Sequence, residues 1–433
     1  MPFLADPDQQ KVLDASSRDW LCVRGEAGSG KTTTAMVRAR RLATRRSRTL
    51  ILSPTEALVT HLHSAARRIP GMVDVLAVDR WLHQEAERLV GRWDRAEEAP
   101  AAVVRAKRHP AVASIVEATS REVEALARDV LHHLFGDAHH REQLEDEADG
   151  ALDRPTLEAL AAYVEVQFAE IDRDERGRPL LGMDGPVHKG TPLHDADSLD
   201  RGDASTLMAL GRLLEVPRRR YDHVVVDEAQ ELSPLELAAA AAAVRPGGAL
   251  TLAGDAGQQL DPGAWFAGWD GVERSVERPT AHHRLGGTHR CPPEVLAVAR
   301  AVRSGTPAPR DTLPVVRWTS WEDAAARRAA LQDARGQLVA PDAQRARQLQ
   351  RALPGHRVTI VDELRGRELP DILLPDLSPD GWPADEAGRR ALYVALTRAT
   401  RSVWCGTVGP WSPLLGAQMS SSSASSARSM MNR

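Results

Sequence analysis

Only three cysteines occur in 433 residues, Cys22, Cys291 and Cys405. Their wide separation excludes a disulfide framework and a cysteine-built zinc cluster, and it fits a reducing, cytoplasmic compartment. Lysine is almost as scarce: Lys11, Lys31, Lys107 and Lys189 stand in a chain with 56 Lys and Arg together, so any lysine inside a motif is informative. No apolar run reaches the roughly 18 to 20 residues of a membrane span. The opening MPFLADPDQQ has no basic segment leading into an apolar one, so neither a secretory signal nor a membrane association is expected. Net charge is only −4, which removes the whole chain as an electrostatic footprint for nucleic acid. A nucleic-acid contact would have to come from a local groove.

What is present is an alternation of short apolar runs and helical patterns. Runs bounded by Gly, Pro or Asp lie at Leu21 to Arg24, Thr49 to Leu52, Val73 to Val78, His223 to Val226 and Leu250 to Ala253. A second series follows at Val315 to Trp318, Gln337 to Ala340, Arg357 to Val361, Asp371 to Leu374 and Ser402 to Cys405. That order predicts an α/β protein with two parallel-sheet domains. From about His83 to Val216 the pattern is helical and rich in Arg, Glu and Ala, with a loop-like stretch from Asp172 to Asp203. Strands resume afterwards, so residues 85–217 read as an insertion into a first domain made of 1–84 and 218–280. Residues 281–415 form the second domain, and the Ser-rich 416–433 a disordered tail.

GEAGSGKTTTA, from Gly25 to Ala35, follows a strand and opens a helix. Gly25, Gly30, Lys31 and Thr32 satisfy G-x-x-x-x-G-K-[ST] in the context that motif requires. Gly25, Gly28 and Gly30 let backbone N–H groups curl around phosphate oxygens, with Thr33 in the first helical turn behind them. Lys31 neutralises the outer phosphates, and Thr32 offers a hydroxyl to Mg²⁺. A second strand, Val224-Val225-Val226, feeds Asp227 and Glu228. The first carboxylate suits a magnesium shell, and the second can orient or deprotonate an attacking water.

At Asp227-Glu228-Ala229-Gln230 the chain resembles superfamily 1 helicases of the UvrD/Rep/PcrA type, and further stretches carry the likeness over both sheet domains. LADPDQQKVLDA resembles the N-terminal glutamine motif, implying Gln9 as the adenine reader. LAGD with Gln258 resembles the third motif, in which the glutamine senses the γ-phosphate. THRCPPEVL would place His289 on the adenine and Arg290 near the γ-phosphate. RRALYVALTRAT resembles the sixth motif and implies Arg398 as an arginine finger. The resemblance implies two RecA-like P-loop domains, ATP and Mg²⁺ as cofactors, and single-stranded or tailed DNA as partner, with movement 3′ to 5′.

Departures from the family pattern accompany these matches. The fifth motif reads RGRELPD, with Glu368 able to meet the ribose but Asp371 one position late. Asp261 stands where an aromatic is usual, leaving Trp265 and Trp269 either to stack bases or to pack in the core. Asp79-Arg80-Trp81 lacks the usual threonine. Residues 291–356 leave no room for the large second insertion of full-length relatives, and the join LMALGRLLEVPRRRYDHVVVDEAQ has a HelD-like look. His132, His133, His139 and His140 read as solvated rather than ligating, and Arg218-Arg219-Arg220 as a solvated turn. Two functions follow: a translocase, or an ATP-gated regulatory subunit acting on a polymerase or nuclease partner.

Overall fold

The computed structural model describes residues 4–416 except 97, 127–128, 183–184 and 289. The expected disordered tail, apart from Gly416, lies outside the described residues. Two all-parallel sheets carry the architecture, as the sequence pattern predicts. The first has six strands in the order Ala281–Leu285, Trp20–Gly25, Val244–Gly254, Tyr221–Val226, Arg48–Ser53 and Met72–Ala77. The second has five, in the order Val316–Trp321, Ala399–Val408, Leu369–Leu374, Gln337–Ala340 and Val358–Ile360.

Alternation along the first sheet explains why its strands are apolar on both faces. Leu50, Leu52, Val224, Val226, Leu250 and Leu252 point to one side. Leu21, Val23, Ile51, Val225 and Ala253 point to the other, against the helices Lys31–Leu42 and Glu56–Ala66. The first of these faces also receives the inserted helices. Ile115, Leu131, Leu134, Phe135, Leu160, Val164 and Leu207 belong to one apolar cluster with the sheet residues. The insertion is thus packed into the first sheet's core.

Three sequence expectations are corrected. Ala281–Leu285 pairs with Trp20–Gly25, so the first sheet extends beyond the expected boundary at 280/281. The helix Val78–Val90 runs through the boundary at 84/85, with Val78 helical and not part of a strand. The stretch 172–203 is not all loop: it holds short strands, among them Leu181–Gly182 and Ser198–Leu199, and Asp200 caps the helix Arg201–Leu213. No helix among the described residues is long and apolar enough to cross a membrane.

The strand that delivers the two acids also buries an imidazole. His223 is 3% exposed, its Nε2 lies 2.9 Å from Thr251 Oγ1, and burial pushes its pKa down to about 3. In the unfolded chain the ring regains an ordinary pKa near 6.5, so the unfolded state binds the extra proton as pH falls below that value. Stability is therefore expected to drop by about 2 kcal/mol between pH 7 and pH 5 from this residue alone. Urea unfolding should show the stability change from pH 7 to pH 5 to be less favourable by that amount in the parent than in His223→Gln, other titrating groups being common to both.

Candidate active site

The loop between Trp20–Gly25 and Lys31–Leu42 is shaped by glycine. Gly28 and Gly30 have φ of 78° and 81°, in the region that costs other residues strain. A Cβ at Gly28 would lie 2.8 Å from Arg290 Cβ, and one at Gly30 2.7 Å from Gln9 Nε2. Lys31 Nζ donates to the carbonyls of Gly25 and Glu26 at 2.8 and 2.9 Å, folded over the loop it belongs to. The hydroxyl of the buried Ser29 has no hydrogen-bond partner among the described residues. A glycine cradle, an orphaned buried hydroxyl and a lysine satisfied only by loop carbonyls fit a phosphate chain.

Thr32 Oγ1 lies 2.9 and 3.0 Å from the two carboxylate oxygens of Asp227. That hydroxyl–carboxylate pair fits the inner shell of a magnesium ion, whose oxygen preference both groups meet. Burial, and then the neighbouring Glu228, push Asp227 up to about 7, the cost of two acids side by side at a dry strand end. Glu228 itself has φ of 52°, a left-handed backbone on a non-glycine residue, of the kind that concentrates at functional sites. Its Oε2 accepts from Gln230 Nε2 at 2.8 Å, while Gln230 Oε1 accepts from the backbone N–H of Asp255 at 3.0 Å. Gln230 therefore aims the carboxylate.

The opposite wall comes from the second sheet. The helix Glu386–Thr397 ends at Arg398, which is 2% exposed and donates through Nη2 to Gln258 Oε1. Gln258 Nε2 donates in turn to Asp255 Oδ2 at 2.9 Å, and Tyr393 OH donates to the same oxygen at 3.1 Å. Burial lowers the Arg398 pKa against the opposing pull of Glu228, and Arg398 Nε has no partner among the described residues. Arg290 Nε meets Glu368 Oε1 at 2.6 Å. Between these walls lies a cleft of about 790 Å³ lined by Gly28, Gly30, Lys31, Thr32, Thr33, Asp227, Glu228, Gln258, Arg290, Glu368 and Arg398.

Other expected residues sit elsewhere. Gly25 ends its strand behind the loop. Gln9 is 2% exposed with both amide atoms engaged, Oε1 accepting from Asp6 N–H and Nε2 donating to the Ser29 carbonyl. In this conformation it braces the phosphate loop and does not face the cleft. His289 lies outside the described residues. Asp371 is held by Arg401 and Ser402. Trp265 is wedged against the insertion, with its Nε1 donating to the Arg105 carbonyl at 2.9 Å and the Arg105 guanidinium 4.4 Å over its ring. Trp269 packs edge-on against Phe266. Trp81 is 1% exposed in the core, while Asp79 pairs with Arg95. Arg218 and Arg220 both donate to the Ala242 carbonyl, capping the end of the helix Pro234–Ala242, while Arg219 and Arg220 stay exposed before the strand Tyr221–Val226, as the solvated-turn reading expects.

Sequence reasoning missed several residues. His61 and Leu62 of the helix Glu56–Ala66, Gly366 in the turn before the strand Leu369–Leu374, and Thr400 at the start of the strand Ala399–Val408 also line the cleft. A Cβ at Gly366 would sit 1.9 Å from Leu58 Cδ2, so that glycine permits the close approach of the two walls. Glu231 accepts from Arg365 at 3.0 Å across the same junction. The charge on both partners was visible; the partnership, across 134 positions, had no local signal.

The protein family described as AAA domain matches residues 9–264, more than half of the chain. The chain belongs to this AAA-domain family. Its matched region carries the phosphate loop, the Asp227–Glu228 strand end and Gln258, while Arg290, Glu368 and Arg398 lie beyond it. Two solved structures of Arterivirus nonstructural protein 10 (helicase), one of them a complex with DNA, are similar at 14% and 13% identity, with TM-scores of 0.36 and 0.35. The alignments cover 94% and 92% of this chain and 64% and 61% of theirs, so it matches less than two thirds of their length. No curated protein matches the chain.

Proposed function

We propose that this protein is an ATP-dependent nucleic-acid translocase or helicase of the UvrD/Rep/PcrA type, acting on single-stranded or tailed DNA. The observation that carries the reading is the meeting of Arg398, delivered by the second sheet, with Gln258, Asp227 and Lys31 of the first in one cleft. Lys31 and the loop N–H groups hold the phosphates; Thr32 and Asp227 would hold a magnesium ion, which supplies charge neutralisation at the phosphoryl oxygens. Glu228 takes the proton of the attacking water. Arg398 stabilises charge that grows during transfer, and Arg290 exchanges Glu368 for the terminal phosphate.

An arginine carried by the second sheet ties turnover to closure of the walls. Glu26, in the phosphate loop, accepts from Arg300 at 2.6 Å and is approached by Arg303 at 3.3 Å, so ion pairs link the loop directly to the second sheet's helix Pro293–Ser304. Closing and opening once per ATP is how such a motor would step. Purified protein is expected to hydrolyse ATP at least about tenfold faster with saturating single-stranded DNA than without it, and duplex DNA and RNA measured beside it rank the substrates. Equal rates with and without nucleic acid would sink the motor reading.

A second reading, an ATP-gated subunit that remodels a polymerase or nuclease complex, draws on one feature. Residues 291–357 are used by the second sheet's own strands and helices, with no inserted body to grip a duplex. Robust unwinding of a tailed duplex by the isolated chain would count against it.

A further inference from the structure

We infer that the insertion carries a site for a divalent transition ion of the zinc class, built by Glu122, His133 and His140. The four insertion histidines, unremarkable in sequence, are sorted by the fold. His132 turns away to Glu165, at 2.9 Å. His133 Nε2 lies instead 3.1 Å from Glu122 Oε2, and its ring meets that of His140 edge-on at 5.3 Å. One donor atom from each of Glu122, His133 and His140 falls within 4.8 Å of the others.

Three features make this more than an exposed ion pair. First, His140 is preset as a ligand. It is 4% exposed, and its Nδ1 lies 3.2 Å from the Leu134 carbonyl, an oxygen that can only accept. The proton therefore sits on Nδ1, and Nε2 keeps its lone pair, the arrangement that carbonyl partners impose on metal-bound imidazoles. The backbone of His140 is fixed as well, its N–H donating to Asp137 Oδ1 at 3.1 Å. Second, Glu122 ends the helix Val112–Glu122, where the carbonyl ends of the backbone disfavour another negative charge. A cation reverses that penalty. Third, the 3.1 Å edge between His133 and Glu122 matches the roughly 3.3 Å edge of a tetrahedron with bonds of 2.0 to 2.1 Å. Binding would require the exposed side chains of Glu122 and His133 to move the rest of the way, from within 4.8 Å, to His140.

Two imidazoles and one carboxylate suit zinc, cobalt or nickel over the hard cation that an ATPase cleft takes. Water completes the shell on the open side. The three ligands come from three helices, Val112–Glu122, Val130–Gly136 and Ala138–Glu147, so the ion would tie three helices of the insertion together.

The test uses the full chain, stripped with EDTA and titrated with Co²⁺ and then Zn²⁺. An Asp227→Asn variant serves as parent, to remove the cleft's own cation contact. One equivalent of Co²⁺ should develop a visible absorption band stronger than that of the aqueous ion, and one equivalent of Zn²⁺ should erase it. Zinc should also raise the unfolding midpoint. His133→Ala and Glu122→Gln, both at exposed positions, should each weaken zinc binding at least about tenfold. His132→Ala should bind as the parent does. Binding unchanged in His133→Ala and Glu122→Gln, or a cobalt spectrum that stays that of the aqueous ion, would overturn the assignment.

Discussion

A Glu228→Gln variant is expected to bind ATP as the parent does and to hydrolyse it about 10² to 10⁴-fold more slowly, the usual worth of a positioned general base. The substitution is nearly isosteric and keeps the left-handed backbone at that position, so its cost to folding is small. Gln230 can still hold the new side chain through the amide at which it now holds Oε2. What disappears is the capacity to accept a proton. Nucleotide affinity by a fluorescent analogue, beside steady-state turnover with single-stranded DNA, separates the two. Turnover above one tenth of the parent's would remove Glu228 from the chemistry, and loss of binding would make it a structural residue of the cleft.

That prediction rests on the part of the site which could be read without a structure, and the reason is local. The glycine loop, the strand end at Asp227 and the glutamine at Gln258 each declare themselves within about ten residues, because phosphate and metal must be met by backbone turns and strand termini. The apolar strands were legible for the same reason: burial on both faces writes an uninterrupted run. Ala281–Leu285 escaped because it is an edge strand. Paired only with Trp20–Gly25, it carries His282, His283 and Arg284 and has no apolar run to show. The expected domain boundary fell on the wrong side of it in consequence. Gln9 was legible as a motif residue but not as a brace, since its role is fixed by the Ser29 carbonyl. Trp265 could not be assigned between stacking and packing, because its partner Arg105 lies 160 positions away, in the insertion.

The least legible feature has the largest expected effect on stability. Lys107 and Arg108 are adjacent in sequence and both buried, and they face different bodies. Lys107 Nζ meets Asp200 and Asp203 at 2.8 and 2.6 Å inside the insertion. Arg108 reaches out of it, with Nε 2.9 Å from Glu236 and Nη1 2.7 Å from Asp261. Asp261 N–H donates to Glu231, and Glu231 accepts from Arg365 of the second sheet's region. A continuous polar chain thus runs from the insertion, past the turn after Gln258, to the opposite wall of the cleft. Burial pushes Glu236 and Asp261 up, but Arg108, Arg201 and the hydrogen bonds to the two carboxylates together outweigh it and hold both below the usual carboxylate range.

Arg108→Met should therefore cost about 3 kcal/mol, because it leaves the half-buried Asp261 without its cation and the buried Glu236 with Arg201 as its one remaining cation, and it removes little apolar packing. The sign with pH follows from the depressed values: the stabilisation is present above the ordinary carboxylate pKa near 4 and fades as the pH falls through the lower folded values. Adding Asp261→Asn to Arg108→Met should recover part of the loss, since a neutral amide is cheaper to leave half-buried than an unpaired charge, while Glu236 stays paired with Arg201. Urea unfolding of the single and double variants at pH 7 checks both statements. A cost below about 1 kcal/mol would mean that water reaches the pair and screens it. Retention of DNA-stimulated turnover in the folded double variant would show that the chain of contacts holds the insertion in place without transmitting the state of the cleft.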